Sequence, residues 1–364
     1  EIYNFIELRS ELEQFGYTFT SSCDSEVVLS AYDYWGSQCV CRFNGMWALA
    51  IYDPKKKTLF LSRDRFGVKP LYYYKDGEKL IFASEIKQIL CDPTVPRIVN
   101  NEILAHYVKF NFREYSEETF FQGIYALRGG CSMTVDIDPE ARNIQKMDVH
   151  RYYDLNARVK VHPCEDSEKV VGEALRKAIH LRMRSDVKVG SCLSGGLDSS
   201  SIVGIICDEL KQAHKDAEEL TTVSIGFPND KDINELGFCH QVTDFCRCGE
   251  HIITPDIDSV LEHLEQIVWH QDEPLPHLGA EVSYAVFKGA ADNGCGVFFD
   301  GQGGDEGLAG YYGYYAHYLW NILTRKGIRK FGTELNKIVA SSSMTRKLAI
   351  LYMLYFNIAA VRIW

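Results

Sequence analysis

The sequence has no apolar run long enough to span a membrane. Its most hydrophobic stretch, LAILYMLYFNIAAVRIW at 348–364, is interrupted by Asn357 and Arg362. It falls short of the ~18 uninterrupted apolar residues a span requires, so a buried core helix is expected there. Excess positive charge is also missing. Lys and Arg number 39 against 50 Asp and Glu, a net charge of −11, which weighs against a general nucleic-acid surface because phosphate binding needs clustered cations. The basic run Lys55-Lys56-Lys57 follows Asp53-Pro54 and reads as a hairpin turn. The twelve cysteines lack the regular spacing of a disulfide scaffold, and Cys39/Cys41 and Cys246/Cys248 are CxC rather than CxxC pairs. Cys239, Cys246, Cys248 and His251 could be imagined as a zinc set, but free thiols in a reducing cytosol are the simpler reading. No signal peptide, repeat or low-complexity tract is visible. A cytoplasmic protein without membrane or nucleic-acid partners is expected.

What is present suits two domains in 364 residues. Both ends look cut: the chain opens on Glu1 inside a strand or turn and closes on Trp364 inside an apolar helix, so a fragment or processed piece is expected. Near the start, Phe5, Leu8, Leu12 and Phe15 recur at helical spacing before a glycine, and DSEVVLSAYDYWG reads the same way. From Met46 to Glu85 the period changes to short β runs split by Asp-Pro-Lys and Lys-Asp-Gly turns, an antiparallel sheet with helices on one side. Periodicity lapses near 155–168. VVGEALRKAIHLRM is an amphipathic helix. Beyond it, short apolar runs alternate with helices, with LTTVSIGF and CGVFFDG as buried strands, so a parallel sheet is expected.

The chemistry concentrates in two glycine-rich loops, each following an apolar run. In the first, CLSGGLDSSS at 192–201, Gly195 and Gly196 leave room for an anion, and the following helix offers unpaired N–H groups and its dipole. Ser194, Ser199 and Ser200 add hydroxyls. This is a phosphate cradle, but neither a GxxxxGK[ST] nor a GxGxxG loop. Asp198 suits an anion site only with Mg²⁺ between carboxylate and phosphate. The second loop, FFDGQGGDEGLAG at 298–310, would emerge from the same edge of a parallel sheet, where ligands bind, and Asp305 could be a second Mg²⁺ ligand. The following GYYGYYAHYLW could line a pocket for an acceptor, but an amphipathic helix packing its rings is favoured. His270 and His277 read as local structure rather than metal ligands.

LSGGLDSS, with the downstream SIGF, VWHQDEP and DGQGGDE, resembles the synthetase domain of the asparagine synthetase family, of the pyrophosphate-loop type. EIYNFIELRSELEQFGYTFTSSCDSEVV, FNGMWALAIYD, LSRDRFGVKPLYYY and FASEIK resemble that family's class II glutamine amidotransferase domain. The resemblance implies an α/β protein in two domains. Residues 1–155 would form most of an N-terminal-nucleophile-hydrolase (αββα) domain, and 168–364 the first part of a parallel-sheet, adenine nucleotide α-hydrolase-like domain. It implies a ligase that uses ATP and Mg²⁺ to adenylate a carboxylate, L-aspartate by default, and transfers glutamine-derived ammonia through a tunnel to give amide, AMP and pyrophosphate. Partners would be these small molecules and, in some cases, a second copy in a homodimer.

By position, Ser194, Gly195, Gly196, Leu197, Asp198, Ser199 and Ser200 would bind pyrophosphate, and Asp198 and Asp305 would hold Mg²⁺. Cys192 and Ile225 would bracket the nucleotide, with Asp300 and Gly301 against ATP. Glu1 and Asp24 would bind the glutamine α-ammonium. The family's nucleophilic cysteine opens the mature chain and its own amine serves as base. None of the cysteines here is terminal, so the resemblance places that residue upstream of Glu1, and a lysine used near the acyl-adenylate beyond Trp364. The family's usual second loop is Ser-Gly-Glu-Gly-Ala-Asp-Glu. Here Gln302 replaces the glutamate expected in the acceptor or ammonia step, and an amide cannot take up a proton as a carboxylate does. A paralogue amidating a sugar acid or natural-product carboxylate, or a non-catalytic relative, stays open.

Overall fold

The computed structural model of the protein describes residues 1–77, 79–138, 143–159, 166–228, 230, 234–255, 257–275, 279–341 and 344–358. The first half contains α1 (Phe5–Gln14), α2 (Asp24–Trp35), β1 (Ala48–Asp53), β2 (Thr58–Arg63), β3 (Tyr72–Lys75), β4 (Leu80–Ala83), α3 (Ile86–Ile89), α4 (Asn101–Phe110), β5 (Ile124–Ala126), β6 (Cys131–Asp138), β7 (Asn143–Arg151) and α5 (Leu155–Arg158). The strands form two antiparallel sheets, ordered β1-β2-β6-β7 and β4-β3-β5, as the αββα resemblance implied, whereas the β pattern of 46–85 alone read as one sheet with helices on one side. Strand alternation makes the layers. Phe60 of β2 points to a core with Leu8, Leu12, Val27 and Ala31 of α1 and α2. Its neighbour Leu61 points the other way, to Tyr73, Met133 and Val135 between the sheets. On the far side of the second sheet, Tyr72 and Tyr74 pack against Ile86 and Ile89 of α3. The order is therefore helix, sheet, sheet, helix, the αββα arrangement.

The chain passes from one sheet to the other through Asp64. This carboxylate is buried and accepts from Trp47 N (3.2 Å), Phe66 N (3.2 Å), Val68 N (2.9 Å) and Lys69 N (2.9 Å). Neighbouring Arg63 donates to the carbonyls of Lys69, Leu127 and Gly67. The Asp53-Pro54-Lys55 turn closes the β1–β2 hairpin as expected, with Asp53 Oδ1 accepting from Lys55 N and Lys56 N.

The second half contains α6 (Ser167–Arg182), β8 (Val189–Cys192), α7 (Leu197–Gln212), β9 (Thr221–Ile225), α8 (Leu236–Cys246), β10 (Gly249–Ile253), α9 (Ile257–Gln271), α10 (Gly279–Asp292), β11 (Val297–Phe299), α11 (Gly304–Leu308), α12 (Tyr312–Ser341) and α13 (Arg346–Asn357). Its sheet is parallel throughout, ordered β10-β9-β8-β11. Val203, Ile206 and Leu210 of α7 close one face over Leu193, Leu220 and Phe299, and α10 covers Val223 with Val286 and Ala290. α12 breaks at Gly327 (φ 81°, ψ 172°) and folds against α13. The expected C-terminal core helix is half-buried instead: Ala349 and Met353 face inward while Leu351 and Tyr355 are exposed. Arg362 and Trp364 lie outside the described residues, as do 160–165 of the lapse in periodicity. Among the described residues no helix is long and apolar enough to cross a membrane.

Candidate functional site

β8 and β11 are parallel neighbours, so the loops that follow them leave the sheet side by side. The first is wound around its own hydroxyls. Ser194 and Ser199 Oγ share a hydrogen bond of 3.1 Å, Ser194 N donates to Ser199 Oγ, and Gly196 N donates to Ser194 Oγ. Gly195 has φ +78°, and a Cβ there would lie 2.6 Å from Phe238 Cβ, so only glycine fits. Gly196 caps the 16-residue α7, whose first turn carries Leu197, Asp198, Ser199 and Ser200. Leu197 projects into solvent. Ser200 Oγ is buried without a hydrogen-bond partner, a polar atom in the cradle that a bound oxygen would satisfy.

The second loop presses on the first. A Cβ on Gly301 would lie 3.3 Å from Asp198 Cβ, and one on Gly304 would lie 2.4 Å from Asp198 Oδ2. These glycines let the Asp198 carboxylate rest against the turn that begins α11, one residue ahead of Asp305. The Asp305 carboxylate itself packs on Gly310, where a Cβ would lie 1.7 Å from Oδ1. Asp300 Oδ1 accepts from Gln302 N at 3.2 Å, and Gln302 is near solvent. Cys192 ends β8 and Ile225 ends the adjacent β9, with Leu193 N donating to Val223 O. Burial, then the nearby charge of Asp300, pushes the Cys192 thiol up to about 11, so it stays protonated and inert.

Asp24 reaches the start of the chain. Ile2 N donates to Asp24 Oδ2 at 2.9 Å, Met46 N donates to Glu1 O at 3.0 Å, and Gly45 leaves no room for a Cβ beside Glu1 O. The ring-packing reading of 310–320 is corrected in part. Ala316 and Leu319 are buried, but Tyr311, Tyr312, Tyr314 and Tyr318 are exposed. Tyr311 stacks on Tyr314 and donates to Glu306 beside the second loop. His270 lies in the last turn of α9, and His277 lies outside the described residues. Among the described residues every cysteine is a free thiol, and no three His, Cys, Asp or Glu side chains group as a metal site.

Sequence reasoning gave no role to Glu273. It is 6 % exposed and lies in the wall of a cavity of about 600 Å³ with Arg63, Tyr72, Phe120 and Arg128 of the antiparallel half. Burial raises its carboxyl above the ordinary range, and burial, with Glu273 nearby, pushes the Tyr72 hydroxyl up to about 12. The signal was the acid pair in VWHQDEP, but only the fold shows that it faces the other half.

The family model described as asparagine synthase matches residues 170–356, more than half of the chain. The chain belongs to the asparagine synthase family. A glutamine amidotransferase domain model matches residues 1–153. A Methanocaldococcus jannaschii protein provisionally named asparagine synthetase (glutamine-hydrolysing) 2 is 33 % identical over 342 residues, covering 92 % of this chain and 62 % of its own. Glutamine-hydrolysing asparagine synthetase 1 of Bacillus subtilis is 32 % identical over 313 residues, covering 85 % and 46 %. Amidase chry2 of Gibberella zeae is 26 % identical over 322 residues, with the same two coverages. The chain thus spans about half the length of these relatives, rising to 62 % for the archaeal one.

Proposed function

We propose that the protein is an ATP-dependent amidotransferase, with residues 1–155 as the glutamine-using domain and 168–364 as the synthetase domain. The abutment of the two glycine loops at Asp198 carries the reading. It is the arrangement a pyrophosphate-releasing site needs: a hydroxyl-lined cradle with an orphaned Ser200 Oγ, a helix N-terminus, and a carboxylate between two loops. Ser194, Ser199, Ser200 and the backbone from Gly195 to Leu197 would hold the phosphates. Cys192, Ile225, Asp300 and Gly301 would flank the nucleotide. Asp198 and Asp305 would hold Mg²⁺, which supplies positive charge against the departing pyrophosphate. A carboxylate is a poor electrophile, and joining it to AMP gives it a leaving group that ammonia can displace. Glu1 and Asp24 would receive the glutamine α-ammonium.

L-Aspartate is the default acceptor. Gln302 favours a second reading with another carboxylate, since the amide there cannot serve as a base. The test of the site is Asp198→Asn in the intact protein. Pyrophosphate release should fall by about 100-fold or more, equivalent to ~2.7 kcal/mol of transition-state stabilisation. Release within about two-fold of wild type would remove Asp198 from the chemistry.

A further inference from the structure

The turn at 272–275, between α9 and α10, is held by the antiparallel half at three points. Glu273 Oε1 accepts from Phe120 N at 3.1 Å. Asp272 pairs with Lys87 Nζ of α3 at 3.0 Å. Tyr107 Oη of α4 donates to Leu275 O at 2.5 Å. Two of these bonds end on backbone, so they fix the path of the chain and not merely a side chain. Glu273 belongs to neither glycine loop, and a buried carboxylate is costly where an apolar side chain would pack. It does, however, orient what it bonds. The turn precedes α10, whose Gly289 would set a Cβ 2.3 Å from Ile253 Cδ1 of β10 and 3.4 Å from Val223 Cγ1 of β9. Val223 pairs with Cys192 at the root of the phosphate loop. α9, which leads into the turn, meets α10 where His263 Nδ1 lies 3.4 Å from Glu281 Oε1, and α10 packs on the sheet beneath the candidate site.

We propose that Glu273, Tyr107 and Lys87 form a clasp that sets the register of the two halves, with Glu273 a positioning residue for transfer of ammonia between them. The clasp borders the 600 Å³ cavity on the Glu273 side, and slackening it opens that wall to water. This rests on the amidotransferase reading above. The test measures glutamine consumed per pyrophosphate released by the intact protein with ATP, Mg²⁺ and L-aspartate, or whichever of a panel of carboxylates supports release.

Wild type should use about one glutamine per pyrophosphate, and Glu273→Ala and Tyr107→Phe several, with ammonia-supported release kept within about two-fold. Glu273→Gln keeps an acceptor oxygen for Phe120 N and should restore the wild-type ratio. Loss of structure alone would depress release equally with either nitrogen source, and would contradict the clasp. If Glu273→Ala fails to fold, Tyr107→Phe decides, since it removes one hydroxyl. An unchanged ratio in the variants overturns the clasp. Wild type that releases no pyrophosphate with ammonia and any carboxylate overturns the underlying reading, and the clasp's role with it.

Discussion

Gly195 meets two constraints at once. Its φ of +78° is costly for any side chain, and a Cβ would strike Phe238 at 2.6 Å. Gly195→Ala is therefore expected to distort the cradle and to weaken Mg·ATP binding at least ~10-fold, with ~1–3 kcal/mol lost in stability. Calorimetric titration and thermal unfolding check this, and unchanged ATP binding would remove the loop from the site. Glu273 gives a prediction in pH. Its carboxyl is raised by burial, so the folded state holds that proton more tightly than the unfolded chain does. Ionisation therefore opposes folding above the folded-state pKa, and the penalty fades as pH falls toward the ordinary carboxylate range. Glu273→Gln carries no such charge. Its advantage over wild type in urea denaturation should be present at about pH 8 and shrink by about pH 5. An advantage that grows on acidification would contradict the burial argument.

Elements differed in how openly the sequence declared them. α1, α2 and α7 were legible because helical spacing and a glycine stop or cap coincide, α6 from its spacing alone, and the β1–β2 hairpin because Asp53-Pro54 encodes its turn. β10 was not legible: Gly249–Ile253 holds Glu250 and His251 and lacks an apolar run, so only its pairing with β9 makes it a strand. The division into two sheets was implied by the family resemblance but hidden in the periodicity. Nothing in the β pattern separates β2 from β3; the separation lies in Asp64, a carboxylate in a run that looks like surface loop. Asp64→Ala would remove the acceptor of four backbone N–H groups, that of Trp47 buried and those of Phe66, Val68 and Lys69 partly so. At ~1–3 kcal/mol per orphaned donor, part of it recovered by water, a loss of ~3 kcal/mol or more is expected. Chemical denaturation measures it, and a loss under ~1 kcal/mol would mean the turn does not depend on Asp64.

At the scale of the whole molecule, both candidate phosphate loops were readable as motifs, because glycine and hydroxyl spacing reports local backbone needs. That both leave the same edge was expected from the rule for parallel sheets, and the order β8-β11 supplies it; their contact at Asp198 was not readable. Joints between the halves were not readable. Arg184 pairs with Glu7 and donates to Tyr3 O across 181 residues, and the clasp at 272–275 joins positions 153 and 168 apart. Such pairings carry no periodic signal. The most direct measurement is AMP and pyrophosphate formation by the intact protein with ATP, Mg²⁺, ammonia and L-aspartate, then with a panel of sugar acids and aryl or acyl carboxylates. Equal AMP and pyrophosphate are expected, dependent on one carboxylate and matched by its amide. ADP and phosphate as products, or no carboxylate-dependent release from any member, would contradict it.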